Sequence, residues 1–585
     1  MPALRATSGT CTVPAGRLFR SHYSIFILKQ GGLRRLPAFR GAFDRSRNAG
    51  SPFLIKEGTM TRTGPFKGRT ISVVNDFSLD EQRYLYRKTR ELKEAALSGS
   101  DVSKFRINDL DYQVYLIFME NSTRTRESFR NAGKFLGARV NVFDAATSSF
   151  NKNESITDAV KMLFGYSGES CFVLRTKLEG VCTWLDEAFT EYAQITGKPK
   201  PSFINAGDGK HEHPTQEFLD EFSFLEQLGW NEDHIHIAMV GDLYHGRTVH
   251  SKADGLRIFR NVEVDLIAPE LLSMPSYYVE KMKANGFQVR IFDSIEEYLA
   301  QARVAPIWYF TRLQLERMGE AVLERTPYLR QAVTFRKDFL GKLPDGCRFY
   351  HPLPRDRNFP TIPFFLDELP LNGWDGQSIN GYWTRITEIA MLAGRIGEDF
   401  EGEHARRPKF VDDFVHEAQA QEKRKPEYKV GIKPVEEGIV IDHIATGKPV
   451  GEIWDTIDAV RKILKLDVRS SHGVYHSNRG PDIFKGIISL PDIISFGEKD
   501  LKKLAAIAPG CTLNLIRHAH VAKKYRLSMP PRIYGFDEIS CKNENCISFP
   551  ANNEGVLTEF IRKGETTFVC KYCEREHKFR DIWDV

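Results

Sequence analysis

At 585 residues, with 41% hydrophobic and 27% charged positions, the chain has the composition of a folded globular protein of about four domains. That excludes a collagen, a low-complexity chain and a wholly disordered one, and no apolar run approaches the ~18 residues of a transmembrane helix. Net charge is +5, but residues 1–60 carry eight Arg and two Lys against Asp44 and Glu57, so the remainder is slightly acidic and offers no general basic surface for nucleic acid.

Residues 1–59 lack helical or strand periodicity and are Arg-, Gly- and Ser-rich and acid-poor. They read foremost as sequence ahead of a true start at Met60, and secondly as an organelle targeting segment; both readings leave them outside the fold. Eight apolar runs then read as buried strands: 111–120, 138–144, 170–176, 201–207, 234–242, 262–269, 287–293 and 305–311. The segments between them carry 3.6-residue periodicity. Alternating strand and helix predicts parallel sheets covered by helices, and eight strands in this span predict two such α/β domains.

Residues 399–427 are charged and poor in apolar positions, and read as a linker with a solvated helix. Beyond them the order changes to strand (EGIVIDHI), helix (VGEIWDTIDAVRKILKL), strand (GVYHS), strand (DIFKGIISLP), helix (EKDLKKLAAIAPG) and one long strand (CTLNLIRHAHVAKKYRL). That βαββαβ order is the split-βαβ unit of ferredoxin-like α+β domains.

Nine cysteines are too few for a disulfide framework at this length. Five are scattered, whereas Cys541-x4-Cys546 and Cys570-x2-Cys573 cluster near the end. Two short loops presenting four thiolates suit a structural Zn²⁺ in a zinc-ribbon domain, with no open position for catalysis. Two disulfides are the alternative, disfavoured because no secretory signal is present. The cysteine usage fits a reducing, cytoplasmic setting. Charges of both signs surround the cluster, so a nucleic-acid-binding ribbon is disfavoured.

Between strands and helices lie segments suited to anions. Ser122-Thr123-Arg124-Thr125-Arg126 follows the first strand and opens a helix, where backbone N–H groups and the positive helix end converge. Taken alone it is equally an ordinary N-cap with solvated arginines. His213-Pro-Thr-Gln216, Arg247 after a strand and Gly241, Thr311-Arg312-Leu-Gln314 and His351-Pro352-Leu353-Pro354-Arg355 follow. Almost all stand at C-terminal strand ends, where open α/β sheets bind ligands. No G-x-G-x-x-G is present, so a dinucleotide reading is weak.

Together these motifs resemble the aspartate carbamoyltransferase family from about 70 to 398. The part from about 428 resembles that enzyme's regulatory chain, through IDHI at 441–444, NCIS at 545–548 and CKYCE at 570–574. The resemblance implies a carbamoyl-phosphate-binding domain over 60–213 and 378–398, an aspartate-binding domain over 214–377, a 399–427 linker, a nucleotide-binding regulatory domain over 428–530 and a zinc domain over 531–585. It further implies that Ser122, Thr123, Arg124 and Thr125 hold the phosphate, and that Arg175 bridges phosphate and carbonyl. His213 and Thr125 would meet the carbonyl oxygen, and Gln216 the carbamoyl nitrogen. Arg247, Arg312 and Gln314 would bind the carboxylates of L-aspartate, while the carbonyls around Pro352 and Leu353 orient the reacting groups. Ser148 and Lys152 would reach into a neighbouring subunit's site, which implies catalytic trimers. Asp442, His443, Lys485, Asn514 and Lys524 match positions for ATP- or CTP-type effectors.

The charge pattern agrees with this resemblance. Two dianionic substrates repel unless cations are placed first, and Arg124, Arg175, Arg247, Arg312 and Lys152 supply five. An ornithine-type carbamoyltransferase shares the STRTR and HPTQ motifs but carries a Cys in an HCLP run and an SMG motif; here the run is HPLP, and Ser273-Met274 is followed by Pro275. A non-catalytic scaffold is disfavoured because every charged catalytic position is present. Departures from the family are Arg130 where Glu is frequent, Asn151 and Asn153 in the 148–155 loop, Gly480-Pro481 in place of basic residues, and a longer segment between the first two regulatory strands.

Overall fold

The computed structural model describes residues 64–144, 154–314, 324–420, 435–480 and 482–584. The expectations for residues 1–59, Ser148 and Lys152 fall outside these. Helix α1 (Leu79–Ser98) opens the fold on a reciprocal cap. Ser78 Oγ accepts the Glu81 N–H at 3.1 Å, and Glu81 Oε2 accepts the Ser78 N–H at 2.8 Å.

All eight expected strands form. They are β1 (Asp109–Phe118), β2 (Ala138–Asp144), β3 (Glu169–Thr176), β4 (Ser202–Asp208), β5 (His234–Val240), β6 (Asn261–Ile267), β7 (Gln288–Phe292) and β8 (Ile307–Phe310). A ninth strand, β9 (Arg348–Tyr350), joins them. Two all-parallel sheets result, in the orders β2-β1-β3-β4 and β7-β6-β5-β8-β9. Strands β4 and β8 are buried at every position, as expected of parallel strands covered on both faces. The β1–β3 register sets Phe118 level with Arg175, so two site-bearing strands end together.

The covering helices include α2 (Thr123–Phe135), α3 (Ile156–Gly165), α4 (Val181–Thr196), α5 (Pro214–Gln227) and the short α6 (Arg247–His250). A long helix, Trp374–Leu392, packs against α1, α2 and α5 and runs unbroken through the expected boundary at 377/378.

The next sheet is antiparallel: β10 (Val415–Ala418), β11 (Gly438–Ile444), β12 (Ser471–His476), β13 (Phe484–Leu490), β14 (Thr512–Arg517) and β15 (His520–Leu527). Its order is β10-β15-β14-β11-β13-β12. The inner run β14-β11-β13-β12, with helices Val450–Ile463 and Glu498–Ile507, is the split-βαβ unit. Two expectations are corrected here. The single long strand at 511–527 is a hairpin, because His518 and Ala519 turn the chain at φ 49° and 60°. The solvated helix of the linker is absent among its described residues; Val415–Ala418 instead pairs with β15 and covers that sheet edge. The last lobe is a small antiparallel sheet of β16 (Arg532–Tyr534), β17 (Glu559–Arg562), β18 (Thr567–Cys570) and β19 (Glu576–Lys578).

One apolar core runs through both parallel-sheet domains, from Phe66 to Ile396. A second joins Phe172 and Phe203 on the first sheet to Leu185 and Phe189 of α4, and continues to Ile547 and Phe560 of the last lobe. Among the described residues, no helix is long and apolar enough to cross a membrane.

Candidate active site

The end of β3 and the loops after β1, β4, β5, β8 and β9 converge on one cleft of about 1200 Å³. The β1 loop and first turn of α2 bring Ser122, Thr123, Arg124 and Thr125. Ser122 occupies the N-cap position, but its side chain makes no cap hydrogen bond, so its hydroxyl is not committed to the helix. Strand β3 brings Arg175. His213 stands at the N-cap of α5, followed by Pro214 and then Gln216. Arg247 begins α6; Arg312 and Gln314 follow β8; Pro352 and Leu353 follow β9. All the described residues expected at the substrate site therefore line the same space. Arg130 does not: it is exposed and pairs with Glu127 at 3.3 Å.

Groups of the first domain hold both Arg175 and, from across the cleft, Arg247. Arg175 donates to the Ala206 carbonyl at 2.9 Å, and Arg247 to the Gly209 carbonyl at 2.9 Å. Glu120 lies 3.4 Å from Arg247 and 3.9 Å from Arg175. Between them passes Gly207, at φ +109°, where a Cβ would lie 3.0 Å from Arg175 Nη1 and from Arg247 Cζ. Asp242 ties two loops of the second sheet: it accepts the His245 N–H at 3.0 Å and the Gln314 N–H at 3.2 Å.

Burial, with Arg175, Arg247 and Arg385 nearby, holds His213 well below the ordinary imidazole range, so the ring is neutral near pH 7. Its Nδ1 lies 3.4 Å from the Thr215 hydroxyl. His351 is depressed to about 3 by burial and by Arg355, Arg124 and Arg312. Its Nδ1 accepts the Leu353 N–H at 2.7 Å, so its proton sits on Nε2. Desolvation also lowers Arg124. His351 lay in a motif already singled out, but nothing in the sequence pointed to Glu120, Gly207 or the buried Arg385, because each acts only through tertiary neighbours.

In the regulatory sheet, three of the other four expected effector residues, Asp442, Lys485 and Lys524, act on His443. Lys485 pairs with Asp442 at 2.8 Å, and Asn514 lies opposite Lys524 across the β14–β15 hairpin. Burial lowers His443; the Asp442 carboxylate, 3.4 Å from its Nδ1, opposes this, while Lys485, Arg479 and Lys524 add to it, so three cations and one carboxylate surround the ring.

Cys541, Cys546, Cys570 and Cys573 are buried with their sulfurs within 4.8 Å of one another. The Cys541–Cys573 and Cys546–Cys570 separations are 3.6 and 3.7 Å. A metal with ~2.3 Å bonds to four sulfurs at tetrahedral corners requires edges of about 3.8 Å, so the cluster fits a metal ion. His577 Nε2, 3.5 Å from Cys541, and the Ser548 hydroxyl, 3.3 Å from Cys546, surround the thiols and were not evident from spacing.

The metal lobe docks beside the cleft. Glu179, four residues after Arg175, donates its N–H to the Asn545 carbonyl at 2.7 Å and accepts the Ile547 N–H at 3.0 Å. Its carboxylate accepts from Asn543 at 2.6 Å and from the Lys210 N–H, in the His213 loop, at 3.1 Å. At Gly180 a Cβ would lie 2.5 Å from Tyr572. Glu574, next to Cys573, meets His211 at 3.5 Å, and Lys571 pairs with Glu187 at 2.9 Å.

Three family models match: the carbamoyl-phosphate-binding domain of aspartate/ornithine carbamoyltransferase over 69–226, and the allosteric and metal-binding domains of the aspartate carbamoyltransferase regulatory chain over 430–528 and 531–583. Protein PyrBI of Thermotoga maritima is 55% identical over 527 residues, covering 89% of this chain and 99% of that protein. Protein PyrBI of Treponema denticola is 50% identical, covering 88% and 98%. Aspartate transcarbamoylase of Trypanosoma cruzi, solved with N-(phosphonacetyl)-L-aspartic acid, aligns at 26% identity and a TM-score of 0.48, over 56% of this chain and 97% of that one. With relatives this similar along their whole length, and with catalytic and regulatory regions in one polypeptide, the chain belongs to the aspartate carbamoyltransferase family in its fused form.

Proposed function

We propose that the cleft transfers the carbamoyl group of carbamoyl phosphate to the amine of L-aspartate, giving N-carbamoyl-L-aspartate and phosphate, an early step of pyrimidine biosynthesis. The observation that carries this reading is the meeting of four arginines, from four different strand ends, in one cleft. Each substrate brings about two negative charges, and the arginines neutralise them before the reacting atoms approach. A guanidinium's planar fork suits both phosphate and carboxylate.

Ser122, Thr123, Arg124 and Thr125 take the phosphate at the start of α2. Arg247, Arg312 and Gln314 take the two aspartate carboxylates; the same two arginines would repel ornithine's side-chain ammonium. The aspartate amine attacks the carbamoyl carbon while the carbonyls of Pro352 and Leu353 orient it. The carbonyl oxygen gathers negative charge, and Thr125, Arg175 and His213 stabilise it by donation. His213 serves as a neutral donor, its Nδ1 facing Thr215 and its Nε2–H directed to the oxygen. The bond from carbon to the phosphate oxygen then breaks, and the amine proton leaves on the departing phosphate. Ser148 and Lys152 complete the site from a neighbouring subunit, so the working unit is a trimer. The four-thiolate cluster holds structural Zn²⁺, for which sulfur donors and tetrahedral spacing both argue. The cationic cluster around His443 binds a nucleoside triphosphate such as ATP or CTP.

Replacing Arg124 or Arg312 by Ala tests the reading. Each should cost several kcal/mol in kcat/KM, because each leaves substrate charge uncompensated in a closed site. Unchanged carbamoyl aspartate formation in either variant refutes the assignment.

A further inference from the structure

A buried hydrogen-bond chain begins one turn beyond Gln216 on α5. The Gln216 amide donates from Nε2 to Asp220 Oδ1 at 2.8 Å. Gln377, from the long helix, donates from Nε2 to the same oxygen at 2.6 Å. Gln377 Oε1 accepts the His351 N–H at 2.8 Å, and His351 Nδ1 accepts the Leu353 N–H. The other Asp220 oxygen accepts from Lys252 at 2.9 Å, and Lys252 also donates to Glu217 at 2.9 Å. The side chains of Asp220, Glu217 and Lys252 are fully buried.

The direction of this chain is set by chemistry. An amide presents a donor at one end and an acceptor at the other, and an ionised carboxylate only accepts. Asp220 therefore claims the NH₂ end of both glutamines. For Gln377 the assignment is doubly determined, since its other end must accept the His351 N–H. For Gln216 the carbonyl is the end left for the cleft that this side chain lines. A carbonyl there suits an NH₂ group and offers nothing to a methyl group.

We infer that Asp220 is a positioning residue that makes the site select a carbamoyl over an acetyl group, by fixing which end of the Gln216 amide faces the substrate. This rests on the proposed carbamoyl-transfer reading. Lys252 is what makes the arrangement single-valued. In an Asp220→Asn variant the buried ammonium takes the new side chain's oxygen, so its NH₂ turns to the glutamines. Gln216 must then flip and present a donor to the donor on carbamoyl phosphate, and Gln377 loses its match to the His351 N–H.

The test compares kcat/KM for carbamoyl phosphate and for acetyl phosphate, with aspartate as the common acceptor, in the full-length protein. The native protein, assayed first for carbamoyl aspartate, tests the underlying reading by itself; if it makes none, that reading fails before any variant is compared. Given activity, Asp220→Asn should lower the preference for carbamoyl phosphate about tenfold or more, the scale of one mispaired hydrogen bond in a dry site. In a Gln216→Leu background the same substitution should leave the preference where that background sets it. Glu217→Gln, which disturbs the same buried ion cluster without touching either glutamine, should keep the native preference. Adding Lys252→Met to Asp220→Asn removes the competing ammonium and should restore it; this double variant carries the test alone if the single one does not assemble. Equal losses for both substrates in Asp220→Asn, or no restoration in the double variant, overturn the inference.

Discussion

Replacing Gly207 by Ala places the heaviest demand on the described geometry. At φ +109° an L-residue is strained, a cost of about 1–3 kcal/mol in stability. The added Cβ also meets Arg175 Nη1 and Arg247 Cζ, each at 3.0 Å. Ordinary contact begins near ~3.5 Å, so both guanidiniums must retreat by roughly half an ångström. They cannot do so freely, because each is tied to a backbone carbonyl, Ala206 for one and Gly209 for the other. Misplacement on this scale in a charge-lined site should lower kcat/KM about ten- to hundredfold. The control is Gly197→Ala at the end of α4, where φ is +66° and no atom lies within 4 Å of the added carbon. It carries the backbone strain without the arginine contact. The assays are carbamoyl aspartate formation and thermal unfolding, run on both variants. If Gly207→Ala keeps native kcat/KM and loses only the stability that Gly197→Ala loses, the arginines are not held by this backbone and the reasoning fails.

Other consequences follow from the same contacts. Mixing an Arg124→Ala protein with a Lys152→Ala protein and reassembling them should restore activity, since hybrid trimers contain some intact sites; no recovery with hybrids confirmed means that each site is built within one chain. Stripping the metal should unfold the lobe from about 531 onward, seen as rapid proteolysis there, because binding energy at a four-thiolate site is folding energy. Catalysis should survive, as Glu179 still holds the Lys210 N–H without the lobe; loss of turnover with trimers intact contradicts this. ATP or CTP should shift the aspartate half-saturation point, and Lys524→Ala should abolish the shift while turnover without nucleotide stays the same. Calorimetry showing no triphosphate binding at millimolar concentration leaves the regulatory half as a connector.

The parallel sheets were legible because strands covered on both faces are continuous apolar runs, as in Ile237–Val240 or Ile307–Phe310. The cleft was legible because its arginines sit in short motifs directly after those runs. Strand β9 escaped notice because three residues carry no period. The β14–β15 hairpin escaped because its turn, His518-Ala519, contains no Gly, Asn or Pro to mark it. Strand β10 escaped because an edge strand of Val-His-Glu-Ala looks like solvated linker. The segment after the first regulatory strand, unmatched in the family reading, was legible by its period and supplies the expected helix Val450–Ile463 and β12 of the sheet's own unit. The docking of the metal lobe on Glu179 and Gly180 joins segments more than 350 residues apart, which no local pattern encodes.

Product analysis with purified protein, carbamoyl phosphate and either L-aspartate or L-ornithine measures the central assignment most directly. The expected result is carbamoyl aspartate, with one phosphate released per product, and no citrulline, because Arg247 and Arg312 place two cations where ornithine carries a third. Citrulline formed in preference to carbamoyl aspartate, or turnover with neither acceptor, would contradict it.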